Sequence, residues 1–145
     1  MKKYILLVLL ILWMALIFAF SNREGATSSK DSHSIVRVTI GNIYKIFNRD
    51  ASEEEIDKVI DRWENPVRKL AHFTEYFILG ILMFFTLKEF GIKNIYIAIL
   101  LCFLYACSDE IHQLFIPLRN GNFKDVLIDT SGSVLSILLL KKKNK

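Results

Sequence analysis

Three stretches of this chain put ionisable side chains at helical spacing inside otherwise apolar sequence. They are Arg68, Lys69, His72, Glu75 and Tyr76; Ser108, Asp109, Glu110, His112 and Gln113; and Lys124, Asp125 and Asp129. Residues three and four apart on a helix are neighbours, so the spacing predicts three polar stripes. One holds Arg68, His72, Glu75 and Leu79, another Asp109, His112 and Gln113, and a third Asp125, Asp129, Gly132 and Ser136. A histidine beside carboxylates can take or give a proton near neutral pH, which makes His72, Glu75, Asp109 and His112 the candidate acid–base residues. Ser108 beside Asp109 is the nearest nucleophile candidate, and nothing in the sequence activates it. His72-x-x-Glu75 and Asp109-x-x-His112 could each present two ligands to a metal, but such pairs are common by chance and no metal is assigned. Arg68, Lys69 and Arg119 offer charge-assisted donors to a phosphate or carboxylate.

The bland alternative is an internal ion network, with Arg68, Lys69 and Arg119 neutralising Glu75, Asp109, Asp125 and Asp129. Two considerations weigh against it as the whole account. Apolar pairing serves stability as well as a buried ionic pair, and ionisable residues within membrane segments are functional candidates by default.

The elements that position these residues read as membrane helices. Of the 145 residues 52% are hydrophobic, mean hydropathy is +0.33, and the apolar residues fall into long blocks rather than alternating with polar ones. The net charge of +4 does not indicate nucleic-acid binding, because the lysines sit where membrane topology places them. Lys2 and Lys3 precede the first block, Lys88 and Lys93 flank a turn, and Lys141, Lys142 and Lys143 follow the last block. Cys102 and Cys107, five apart on one predicted helix, point away from each other, so no disulfide is expected.

Residues 4–20 are long enough for a spanning helix and exceed a usual signal-peptide core, so residues 1–20 are expected to stay as an anchor. Residues 21–66 form a polar loop with two short amphipathic helices. Val36, Ile40, Ile43 and Phe47 make one apolar stripe, and Ile56, Val59, Ile60 and Trp63 make the other behind a Ser52/Glu55 capping box. Asn65 as cap and Pro66 in the first turn predict the start of the second spanning helix, which Gly91 ends. The third runs from Ile95 to about Phe115, the fourth from about Phe123 to Leu140, and residues 141–145 form a basic tail.

The fold class expected is therefore all-α, a polytopic membrane protein with four transmembrane helices and a helical extracytoplasmic loop. Both termini are expected in the cytoplasm, with the polar stripes at one depth near the outer surface. At 1.5 Å per residue, Asp129 lies about 9 Å inside its helix, where an unpaired carboxylate is costly. The inner half, across 81–87, 95–103 and 134–140, is almost wholly apolar, which disfavours a transport path.

Two motifs, RKLAHFTEYFILG (68–80) and SDEIHQLFIPLRNGNFKDVLIDTSG (108–132), resemble the VanZ-like family of bacterial membrane proteins. The motif resemblance covers about 67–140, a three-helix VanZ-like region, and extends to the N-terminal anchor by position. The motif positions are Lys69, His72, Glu75, Tyr76, Asp109, Glu110, His112, Gln113, Arg119, Asp125, Asp129 and Gly132. Leu118 departs from the pattern, standing where the family often has a glycine after the proline, and is expected to stiffen or reshape the outer loop.

The resemblance implies an association with low-level resistance to the glycopeptide teicoplanin, and no established reaction. Together these readings predict a site with His72, Glu75, Asp109 and His112 as its reactive groups. Arg68, Lys69, Tyr76, Glu110, Gln113, Arg119, Asp125 and Asp129 would be its binding groups. Membrane lipids and a lipid-linked envelope precursor or glycopeptide are the expected partners, and any cofactor is left unidentified. The competing classes are a binding protein, a membrane-embedded hydrolase or transferase, and, ranked last, a small transporter.

Overall fold

The computed structural model describes residues 1–22, 25–117 and 121–143, with residues 25–29 described by backbone alone. Every regular element among them is helical. Helix α1 is Lys2–Ser21, α2 is Gly25–Val36, α3 is Asn42–Phe47, α4 is Glu53–Glu89, α5 is Ile95–Gln113 and α6 is Phe123–Lys143, with a π-helical turn, Arg37–Gly41, joining α2 to α3. Arg119 and Leu118 lie outside the described residues, so the outer-loop expectations attached to them do too.

Helices α1, α4 and α5 are each long and apolar enough to cross a membrane. The expected fourth span, α6, is not, because its charges leave only residues 130–140 as an uninterrupted uncharged run. Eleven residues at 1.5 Å each give about 17 Å, against a hydrocarbon core of about 30 Å.

Helix α4 is the spine. It packs most extensively on α6 and also contacts α1, α2 and α5. Its 37 residues reach about 55 Å, nearly twice the hydrocarbon thickness, so its first half must project beyond the membrane. The expected helix start at Asn65 and Pro66 is not observed: the helix begins at Glu53 and continues through Pro66. Asn65 caps nothing there, and its side-chain oxygen instead accepts from Arg68 Nη2 at 2.6 Å.

Packing explains the continuity. Ser52 and Glu55 close a reciprocal capping box that starts the helix, and Ile56 and Ile60, at 1% and 0% exposure, pack with Val36 in a second small core. Proline inside a helix costs about 3 kcal/mol, while burying two isoleucines returns about 1.5–3 kcal/mol each.

The loop helices also differ from expectation. Helix begins at Gly25, well before the apolar stripe, and the stripe itself splits: Val36 is buried and Ile40 packs beside it, but Ile43 and Phe47 are exposed. The π-helical turn between them is wider than an α-turn and rotates the residues after it off the Val36 face. Arg37 pairs with Glu53 and Asp57, and Lys45 Nζ lies 2.7 Å from Glu53, which fastens this segment to the start of α4.

The remaining boundaries follow local signals. Gly91, at φ +83°, ends the turn after α4, and the Asn94 side chain caps α5 by accepting from the Tyr96 N–H. Cys102 and Cys107 are both free thiols. The core of the bundle gathers Leu10 and Ile17 from α1, Tyr76, Leu79 and Met83 from α4, Cys102 and Ala106 from α5, and Ile137 from α6. On the outer face of α1, Tyr4, Ile5, Val8, Leu9 and Leu12 are exposed, as lipid-facing side chains would be.

The candidate functional site

Close helix approach brings the polar stripes together. A Cβ added to Gly132 of α6 would run into the carbonyl oxygen of Phe73 on α4 and stand 3.1 Å from the Phe77 nitrogen. A Cβ at Gly80 of α4 would stand 2.7 Å from the Ser133 carbonyl oxygen and collide with Ser136 Oγ. Ser133 Oγ donates to the Tyr76 carbonyl at 2.9 Å, adding a polar tie between the same two helices. Small residues at such contacts are how membrane helices come close, and here they draw the first turns of α6 against His72 and Glu75.

Around this seam α4 contributes Lys69, His72, Glu75 and Tyr76, α5 contributes Asp109, Glu110 and Gln113, and α6 contributes Asp125 and Asp129. His72 Nδ1 lies 3.4 Å from Glu75 Oε2, with both side chains about one-fifth exposed. Lys69 Nζ lies 3.2 Å from Asp125 Oδ1 at the more open rim. Deeper, Gln113 Nε2 donates to Asp109 Oδ2 at 3.2 Å, and Asp109 and Asp129 are each 2% exposed. Asp129 is close enough to His72, Asp109, Glu110 and Asp125 to interact with all four electrostatically. Asp129 Oδ1 and the Tyr76 hydroxyl have no hydrogen-bond partner among the described residues.

The stripes are thus one site with an excess of carboxylates. Glu75, Asp109, Glu110, Asp125 and Asp129 converge, and Lys69 pairs with Asp125 at the rim. Of the expected charge-neutralising network, the Lys69–Asp125 pair is present and Arg68 turns to Asn65, while Arg119 lies outside the described residues. No three His, Cys, Asp or Glu side chains among the described residues are arranged to hold a metal ion together.

Two residues take roles other than those the motif spacing suggests. His112 leaves the Asp109 face: its ring stacks on Phe18 of α1 with centroids 4.4 Å apart, and its Nε2 lies 3.2 Å from Asn22 Oδ1. The i, i+3 step from Asp109 falls about 60° to one side of it, whereas i+4 to Gln113 falls about 40° to the other, and α1 occupies the His112 side. Glu110 accepts from the Asn122 backbone N–H, which ties the end of α5 to the start of α6.

Sequence reasoning passed over Tyr105 and Trp13. Tyr105 lies one turn before Asp109, its hydroxyl donates to the Met14 carbonyl at 2.7 Å, and its ring lies 6.1 Å from that of Tyr76. Trp13 Nε1 donates to the Glu75 carbonyl at 2.9 Å. The i, i+4 spacing of Tyr105 and Asp109 was a usable signal; the Trp13 contact, across 62 residues, had none.

No curated protein and no solved structure matches this chain. A family model described as VanZ/LLP1 matches residues 6–143, which takes in most of α1, helices α2 to α5 and all of α6 with the polar cluster. The chain therefore belongs to the VanZ/LLP1 family.

Proposed function

We propose that the polar cluster faces the outer leaflet and binds the polar head of a cell-envelope amphiphile, either a lipid-linked precursor or a glycopeptide of the teicoplanin type, and so contributes to glycopeptide resistance. The observation that carries this reading is the convergence of five carboxylates and His72 from three helices at one end of an apolar bundle. An acid-rich cluster, buried at Asp109 and Asp129 and exposed at the Lys69–Asp125 rim, is complementary to a cationic group such as an amine, and Lys69 can pair with an acidic group beside it.

In this reading α6 is a fourth span whose charged first turn is sheltered by α4 and α5, and both termini are cytoplasmic. Supporting it, Lys2 Nζ pairs with Glu89 at 2.7 Å and Lys3 lies over the Phe90 ring, which puts the N-terminus beside the α4–α5 turn at the end away from the cluster. The exposed Ile43, Ile46 and Phe47 of the loop helix then rest in the headgroup region.

A second reading, a hydrolase or transferase acting on lipid-linked substrates, is favoured by the His72–Glu75 contact. Glu75 orients the ring and His72 accepts the proton of an attacking hydroxyl or water. The test for both is the glycopeptide and lipoglycopeptide susceptibility of cells carrying the wild type, His72→Ala or Asp109→Ala, with membrane levels matched by immunoblot and envelope lipids profiled in parallel. Protection by the wild type alone is the expected result, and an altered lipid profile alongside it selects the enzyme. A well-expressed wild type that neither protects nor changes any lipid would sink both readings.

A further inference from the structure

At the end of the bundle away from the cluster, the helix ends enclose an open cavity of about 210 Å³. Lys88 from the last turn of α4, Lys93 from the following turn and Lys141 from the last turn of α6 converge on it. Its walls include Phe84, Leu87 and Ala98, and no carboxylate lines it among the described residues. Helix α5 starts at the cavity wall, with Asn94 and Ile95 in the lining, so the positive end of that helix dipole adds to the lysine charge.

We propose that this cavity is a binding site for an anionic phospholipid, with the phosphate held by Lys93 and Lys141, the charge of Lys88 adding to theirs, and the first carbons of the glycerol and chains against Phe84 and Leu87. Three lysines from three separate segments lining one cavity with largely apolar walls match an amphiphile with an anionic head. Simple solvation of lysines at helix ends gives no reason for them to share one cavity. A cavity of about 210 Å³ leaves room for a headgroup while the chains continue along the lipid-facing wall. The site is independent of the cluster at the other end, and it ties α4, the turn and α6 together where their side-chain packing ends.

The full-length protein in detergent is titrated with short-chain phosphatidylglycerol, phosphatidylcholine and inorganic phosphate, with bound lipid counted by native mass spectrometry. The cavity variant Lys88→Gln/Lys93→Gln/Lys141→Gln is compared with Lys3→Gln/Lys142→Gln/Lys143→Gln, which removes the same charge elsewhere at that end. All six lysines are exposed or partly exposed at helix termini, so neither variant disturbs the core. The expected result is one tightly bound phosphatidylglycerol, affinity lowered on the order of 100-fold in the cavity variant, and little change in the other. Equal loss in both variants, wild-type affinity in the cavity variant, or displacement of the lipid by inorganic phosphate at equal concentration would each overturn the proposal.

Discussion

At the basic end of the bundle Lys2, Lys88, Lys93 and Lys141 lie on helix termini with their side chains exposed, whereas at the opposite end Asp109, Glu110 and Asp129 are 2%, 7% and 2% exposed. A lysine at a helix end keeps its ammonium in water through a flexible stem and costs little. A carboxylate drawn between helices loses its hydration and is retained only where something other than stability favours it. The charges of the basic end are therefore cheap to keep, whereas those of the acidic end are held against a stability cost.

The largest expected difference lies between the glycines at the two ends. Gly132 lies under the cluster with the Phe73 carbonyl against its α-carbon, whereas Gly91 lies in the basic-end turn with nothing within 4 Å of an added Cβ. Gly132→Leu is expected to cost on the order of 4–5 kcal/mol or more, since the backbones of α4 and α6 must part. Gly91→Ala should cost only about 1–2 kcal/mol, the strain of a positive φ. Thermal unfolding in detergent, together with the yield of monodisperse protein, checks both. Equal tolerance of the two would mean that the α4–α6 seam is not what assembles the cluster.

A moderate effect, of opposite sign, separates a functional cluster from a merely structural one. Asp129 is buried, its Oδ1 has no hydrogen-bond partner among the described residues, and three of its electrostatic neighbours are carboxylates. Asp129→Asn keeps the shape and removes the charge, so thermal stability should hold or rise by about 1 kcal/mol while protection against glycopeptides is lost. A variant that unfolds at lower temperature yet still protects would return the cluster to the role of an internal ion network.

Much of this arrangement was legible from local sequence. The uncharged run of α1, the Ser52/Glu55 box and Gly91 each carry their signal within a few residues and appear in the fold, and the polar stripes appear in part, with Arg68 turned to Asn65 and His112 to Phe18. What was not legible depends on distant partners. Asn65 and Pro66 are a genuine helix-start signal, overridden because Ile56 and Ile60 are buried against Val36, some 20 residues away in the chain. His112 was grouped with Asp109 by i, i+3 spacing, but Phe18 and Asn22 of α1 draw it to the other side. The stripe from Val36 to Phe47 failed because a π-helical turn changes the period midway, and nothing in its composition announces that turn.

The weakest expected effect belongs to a charge that stays in water, and it serves as the reference for the buried ones. Glu53 accepts from Lys45 and lies beside Arg37, and the Lys45 hydrogen bond and charge hold its carboxyl below the ordinary glutamate range. A folded-state value below the unfolded one means that the pair favours the folded form above the ordinary range and ceases to do so as pH falls through the lowered value. Acidification below the ordinary glutamate range should therefore loosen α3 from the start of α4, seen as faster amide exchange across 42–47 with α5 unchanged. Glu53→Gln should produce the same loosening at neutral pH and abolish its pH dependence. Because both partners are exposed, the change should stay local and fade with added salt. A pH-driven loosening of the whole bundle over that same range, persisting in Glu53→Gln, would instead place the responsive carboxylates inside the cluster and weaken the division between solvated and sequestered charge.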